Sequence, residues 1–178
     1  SGLMPGQGPD RTLCLRGGVY YENLYLSRSS RPGAPITIRS YPGEIAVIDG
    51  GLREFAEDCR QAWQPVDGPV PNYFRSTHPY PNERYVLGWF ADSMVALLTY
   101  QHRVDIAERQ RIYFEKYPEQ PFPAPLYFGP GLWYDTDTGH IYARLSRTDY
   151  GFDYPGLADY RGVTDPREVG LVIAPFQS

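Results

Sequence analysis

Lysine is almost missing from this chain: of 17 basic residues, Lys116 is the only lysine and the rest are arginines. Any mechanism that needs a lysine base therefore has Lys116 or a residue outside the sequence to draw on. Cysteine is scarce too. Cys14 and Cys59 allow one bridge at most, and their spacing matches no metal-binding pattern. Nothing in the sequence fixes their proximity, so two free thiols are expected. No apolar run approaches the length needed to span a bilayer, and the opening Ser-Gly-Leu-Met lacks a signal-peptide pattern. A net charge of −4 leaves out the electrostatic footprint of a nucleic-acid binder. The sequence reading is thus no nucleic-acid partner and no membrane partner. What remains, 42% apolar and 21% charged residues in a chain of 178, is the balance of one domain or one domain with an inserted lobe.

Turn-formers and aromatics are plentiful, and their arrangement is informative between Leu13 and Gly51. Four short apolar segments occur there, Leu13–Leu15, Leu24–Leu26, Ile36–Ile38 and Ala46–Ile48. In each, apolar residues recur at i and i+2, the period of a strand with one inward face. The first segment is offset from the third by 23 residues and the second from the fourth by 22. A repeat in the low twenties is what a solenoid needs to stack like side chains on successive rungs. Gly17-Gly18, Arg31-Pro-Gly33, Tyr41-Pro-Gly43 and Gly50-Gly51 are breakers that end strands and turn corners.

These residues carry a family resemblance. Gly17-Gly-Val-Tyr20, Ala34-Pro-Ile-Thr-Ile38, Tyr41-Pro-Gly-Glu44 and Ile48-Asp-Gly-Gly51 together resemble the opening rungs of right-handed parallel β-helix proteins that act on polysaccharides, among them polysaccharide lyases and glycoside hydrolases. Gly131-Leu-Trp-Tyr-Asp-Thr-Asp-Thr-Gly-His-Ile-Tyr142 is similar to a hairpin in the β-domain inserted between early rungs of some of these proteins. The resemblance implies a pectate-lyase-like fold, a polysaccharide partner, a secreted or periplasmic location and, if the chain is active, lyase or glycosidase chemistry. It transfers no catalytic residue, because no position matches the family's catalytic motifs.

The expected fold is all-β: the start of a right-handed parallel β-helix carrying an inserted antiparallel β-lobe. Residues 1–51 are read as the N-terminal rungs, 52–168 as the lobe and 169–178 as a strand returning to the β-helix. Within the lobe the sequence predicts a short helix in 52–66 with Leu52, Phe55 and Cys59 on one face. Strands are expected at 70–75, 85–90 and 94–100, and a short helix at 104–114. A Pro-rich loop is expected at 117–130, and a hairpin at 132–145 around Thr136-Asp-Thr-Gly139. Leu171 and Ile173 of the last strand are expected to pack on the early rungs. One rung and a fraction is fewer than a solenoid usually needs, so the missing cover is expected from a second copy or the remainder of a longer β-helix. A module whose strand edge pairs with another chain is the structural alternative.

The chemistry-bearing residues are few. Asp92, Asp105 and Glu108 are candidate acids for glycoside hydrolysis, which commonly uses two carboxylates, and His102, poised near neutrality, is a candidate general acid. Asp135 and Asp137 have the i, i+2 spacing of a calcium loop, but no bidentate Glu follows at the EF-hand distance. Asp, Thr and Gly are also what a tight turn requires. The reading is no metal site and no cofactor, calcium being the one cation whose loop spacing the sequence approaches. Aromatic residues make up 15% of the chain. Tyr and Trp faces stack on the C–H faces of sugars while their polar atoms bond hydroxyls. Trp89, Trp133 and Tyr134 are the candidate sugar-binding residues. Strand alternation puts one of Trp89 and Phe90, and one of Trp133 and Tyr134, in the core.

Overall fold

The computed structural model describes residues 11–22, 24, 35–93, 95–107, 127–146 and 162–177. The chain is mostly strand, with three short helices among these residues, and is therefore all-β in character. It divides into two compact units, Ser1–Gly51 and Leu52–Ser178.

In the first unit, β1 (Arg11–Leu15) pairs in parallel with β3 (Ile36–Ser40), and β2 (Gly18–Tyr21) pairs in parallel with β4 (Ala46–Asp49). Parallel pairing of the Leu13 and Ile38 segments agrees with the sequence repeat, but the registers differ from it. Leu13 faces Ile38, an offset of 25 residues, so Leu15 meets Ser40 and Arg11 meets Ile36. The second ladder is built from different residues: the partner of Ala46–Asp49 is Gly18–Tyr21, an offset of 28. Leu24 lies outside any strand and is 50% exposed; Leu26 is outside the described residues.

The corner at Arg16-Gly17 is tied down in the observed register. Glu44 accepts both from Arg16 Nε, at 2.9 Å to each carboxylate oxygen, and from the Gly17 N–H. The Gly18 N–H donates to Ile45 O at 3.0 Å. Tyr41-Pro-Gly-Glu44 thereby clamps the preceding corner, and the strand after it is Gly18-Val-Tyr-Tyr21, rich in β-formers. Exposure alternates along β3, as the i, i+2 pattern predicts. No described side chain from 12 to 50 is buried, however, and the sheets of this unit are two-stranded pairs.

The second unit begins with α1 (Arg53–Glu57) and α2 (Cys59–Ala62), broken at Asp58, and runs directly into β5 (Trp63–Pro65). Phe55 is fully buried and Leu52 packs beside it, as expected, but the segment is two short turns and a strand. Strands β6 (Tyr73–Ser76), β7 (Glu83–Phe90), β8 (Leu98–Tyr100), β9 (Gly131–Tyr134), β10 (Ile141–Arg144) and β11 (Leu171–Gln177) follow, with α3 (Arg103–Ala107) after β8. Met94, residues 108–114 of the expected helix, Glu108 among them, and residues 117–126 of the expected loop lie outside the described residues.

Five strands form one mixed sheet in the order β5-β6-β10-β9-β8, antiparallel except for the parallel edge pair β8/β9. A second sheet is the antiparallel pair β7/β11. The apolar residues of β7 and β11 and the inward positions of the large sheet close one core. Val86, Leu132, Ile141, Ala143, Leu145, Leu171 and Ile173 are all inaccessible within it. Leu171 and Ile173 thus belong to this core, with Phe90 and Gly88 as their cross-strand partners, in place of the packing on early rungs that the sequence suggested. At about 25 cal/mol per Å² of apolar surface, each of the Val, Leu and Ile side chains contributes about 1.5–3 kcal/mol.

The other face of the large sheet carries a second cluster. Tyr73, Tyr100 and Tyr127 are buried there with Ile106 and Ala107 of α3, and Trp133 and Tyr142 pack against them half-buried. Gly131 makes this packing fit. A Cβ at position 131 would lie 2.4 Å from the Tyr100 ring, which crosses over the backbone and donates its hydroxyl to Gly129 O at 2.7 Å.

Candidate functional site: an aromatic cleft at the end of a parallel strand pair

At the C-terminal ends of β8 and β9 the chain leaves the sheet twice, through Gln101-His102 into α3 and through Asp135–Gly139 into β10. Between these exits and β7 lies an open cleft of about 380 Å³, lined among others by Arg84, Tyr85, Thr99, His102, Arg103 and Trp133. Parallel neighbours put their C-terminal ends side by side, so two loops diverge there and leave a crevice.

The hairpin sets one wall. The Asp135 N–H donates to His140 O at 2.9 Å and the Gly139 N–H to Asp135 O at 2.7 Å, with Gly139 at φ 73°, where an L side chain is strained. The Asp135 carboxylate works inside the turn: Oδ1 accepts from the Asp137 N–H at 3.1 Å and Oδ2 from the Thr138 hydroxyl at 2.6 Å. These bonds are those of a turn-forming Asp. Among the described residues, no group of three or more His, Cys, Asp and Glu side chains gathers as a metal site.

Alternation along β9 separates the two aromatic candidates. Tyr134 is 7% exposed; its hydroxyl donates to Tyr80 O at 2.7 Å and accepts from the Glu83 N–H at 3.3 Å. It is a core residue with a satisfied polar end. Trp133 points the other way, half-buried, its ring 4.9 Å from that of Tyr142. The same rule places Phe90 in the core at 2% exposure and leaves Trp89 half-buried, opposite Val172 and bridged to Ala96. Trp89 is not among the residues that line the cleft.

His102 is exposed on the cleft rim. Asp105 is half-buried in the first turn of α3, its N–H donating to His102 O at 3.0 Å, and Asp92 is exposed in the turn after β7. Neither acid lines the cleft. The carboxylates that do line it, Asp135 and Asp137, belong to the hairpin turn. Burial pushes the Tyr73 and Tyr100 hydroxyls well above the ordinary phenol range. Tyr80 is raised likewise, first by burial and then by its hydrogen bond to the Glu54 carboxylate. A Ser–His pair elsewhere in the unit, Ser76 and His140, is structural. Ser76 is fully buried, gives its hydroxyl proton to His78 O at 2.7 Å and accepts from the Ile141 N–H at 3.1 Å. His140 Nδ1 lies 2.9 Å from Ser76 O.

Sequence reasoning found Trp133 and His102 but missed Arg84, Thr99, Arg103 and Tyr142. Tyr142 was within reach, since counting back from the hairpin turn sets it opposite Trp133. The others come from segments far apart in sequence, and no local signal joins them. Both cysteines are free, Cys14 exposed and Cys59 half-buried. Among the described residues no helix is long and apolar enough to cross a membrane. No protein-family model, curated protein or solved structure matches the chain.

Proposed function

We propose that this chain recognises polysaccharide, and that the cleft beside Trp133 takes sugar units. The observation that carries the reading is the setting of Trp133. A half-buried indole is held against Tyr142 beside a cleft that carries Arg84, Thr99, His102 and Arg103. An apolar ring face next to convergent hydrogen-bonding groups suits a sugar, which offers C–H faces and hydroxyl edges together. In the same proposal the first unit contributes opening rungs of a right-handed parallel β-helix. Its support is the resemblance of the Gly17–Gly51 motifs and the two parallel pairs joining segments 25 and 28 residues apart. Binding is favoured over hydrolysis because, of the two carboxylates that line the cleft, Asp135 is engaged in its turn, and neither Asp92 nor Asp105 lines the cleft to pair with Asp137.

Incubation with a panel of plant, algal and bacterial polysaccharides tests this, following retention together with the release of reducing or unsaturated ends. Retention of at least one polysaccharide without release of ends is expected. Absence of retention across the panel overturns the reading, and release of ends makes the chain an enzyme.

A further inference from the structure

Reading the registers across the large sheet produces a row that no single strand reveals. Gln64 on β5 faces Arg75 on β6, Arg75 faces Tyr142 on β10, and Tyr142 faces Trp133 on β9. Directly opposed residues project from the same face of a sheet, so these four side chains form one transverse strip. The next partner, Tyr100 on β8, ends it: its ring is buried and its hydroxyl is fixed on Gly129 O.

The neighbouring row is a wall. Tyr73 is buried, and the Arg144 guanidinium is turned over the Tyr127 ring, 4.0 Å from its centroid, with Nη1 donating to Ile106 O at 3.0 Å. The strip itself is open: Arg75 is exposed, and Gln64, Tyr142 and Trp133 are half-exposed. Its rings are held in place. Tyr73 stacks on Tyr142 at 5.4 Å and 22°, and Tyr142 meets Trp133 at 4.9 Å and 38°. Rings already ordered cost little further entropy on binding. Arg75 is steadied too, because Gln64 Oε1 accepts from its Nε at 2.9 Å and its Nη2 at 3.2 Å when the amide oxygen faces the guanidinium. Two of five guanidinium donors are engaged in this pair.

We infer that a linear glycan lies across the strands along Gln64–Arg75–Tyr142–Trp133, with successive sugars meeting successive strands. The inference rests on the polysaccharide-binding reading and adds the ligand's direction, length and shape. Strands are about 4.8 Å apart, so the row spans roughly 14 Å. That strand spacing is close to the advance per residue of an extended pyranose chain. About three sugars therefore fit the strip, and one more reaches the cleft beside His102 and Arg103. Trp133 offers its apolar ring, Tyr142, held between Tyr73 and Trp133, offers its ring edge and hydroxyl, and Arg75 with Gln64 donates to hydroxyl or ring oxygens at the far end. Extended linear chains match this strip; branched or tightly coiled ones do not.

The test uses sized linear fragments, disaccharide to hexasaccharide, of the polysaccharide the protein retains, titrated calorimetrically into wild type, Arg75→Ala and Tyr142→Ala. Affinity should climb from disaccharide to tetrasaccharide and then level off. Arg75→Ala should weaken tetrasaccharide binding about tenfold, the loss of charge-assisted hydrogen bonds, and leave the disaccharide unaffected. Arg75 is exposed, so its replacement should leave the melting temperature unchanged; Arg75→Lys, which keeps one donor to Gln64, should recover part of the loss. Length-independent affinity, or Arg75→Ala binding every fragment like wild type while Trp133→Ala abolishes retention, overturns the transverse strip and leaves the cleft reading standing. A wild-type protein that retains no polysaccharide overturns both.

Discussion

Trp133 and Tyr142 face one another across β9 and β10, their ring centroids 4.9 Å apart and their planes tilted by 38°. One residue further along, Tyr134 points through the sheet into the opposite core and is tied to Tyr80 O. Neighbouring aromatics of nearly identical sequence context thus do different work. Trp133→Ala should weaken polysaccharide retention about tenfold, the size of one lost aromatic contact, with little change in melting temperature. Tyr134→Ala should destabilise the fold by about 3–5 kcal/mol, as a buried aromatic truncation. Parallel melting and retention measurements check both. Equal melting losses in the two variants would contradict the division.

Gly131 supports the aromatic face from beneath. Gly131→Ala would set a Cβ against a Tyr100 ring that its hydroxyl holds in place, an overpacking expected to cost about 1–3 kcal/mol. Denaturant melts of Gly131→Ala and of Gly131→Ala with Tyr100→Leu check the cause: the second change should relieve only the ring's share of the loss, because the new Cβ would still lie 2.6 Å from Leu98 O on the backbone.

Acid should loosen one surface corner. The Arg167 guanidinium, hydrogen-bonded to Asp165, holds that carboxyl below its ordinary range. Because the folded-state value is lowered, the stabilisation is present above the unfolded carboxylate value and is lost as pH falls through the folded one. The pair is partly solvated, so its worth is well below about 1 kcal/mol. Asp165→Asn should melt slightly below wild type at neutral pH and coincide with it in strong acid. A difference that persists in strong acid would contradict the assignment.

The Asp135–Gly139 turn should ignore calcium. Its leading carboxylate already caps the Asp137 N–H and the Thr138 hydroxyl, so titration of calcium into metal-free protein should give no specific heat. A tight signal removed by Asp137→Ala would overturn the turn-only reading.

Ile38 measures how far the first unit departs from a buried rung stack. A fully buried Ile→Ala change costs about 2–5 kcal/mol. Ile38 is half-buried, and about 1–2 kcal/mol is expected from the apolar area it covers. Loss at the upper end of the buried range would show that Ile38 sits in a closed core.

Elements built from neighbours in sequence were legible; those built from distant partners were not. The hairpin at Trp133–Arg144 is local, and Asp135, Thr138 and Gly139 state its turn outright. The alternation in Ile36–Ser40 is legible for the same reason. Register in the first unit was not, because the contacts that go with it join distant residues, as where Glu44 reaches back to Arg16 and Gly17. Leu171 and Ile173 read as buried, correctly, but periodicity cannot say which strand receives them, and β7 does. Leu98–Tyr100 read as part of a buried strand, yet nothing near it announces a parallel partner at Gly131. The cleft exists because of that pairing, so Arg84, Thr99 and Arg103 carried no signal in the sequence.

The most direct measurement uses the indole N–H resonances of the three tryptophans, assigned with Trp133→Phe and followed by proton–nitrogen correlation spectra as a retained glycan is added. Trp63, 3% exposed in the core, is the internal control. The account predicts that the Trp133 signal shifts in saturable fashion while the Trp63 signal stays fixed. A glycan that binds with the Trp133 signal unmoved would contradict it.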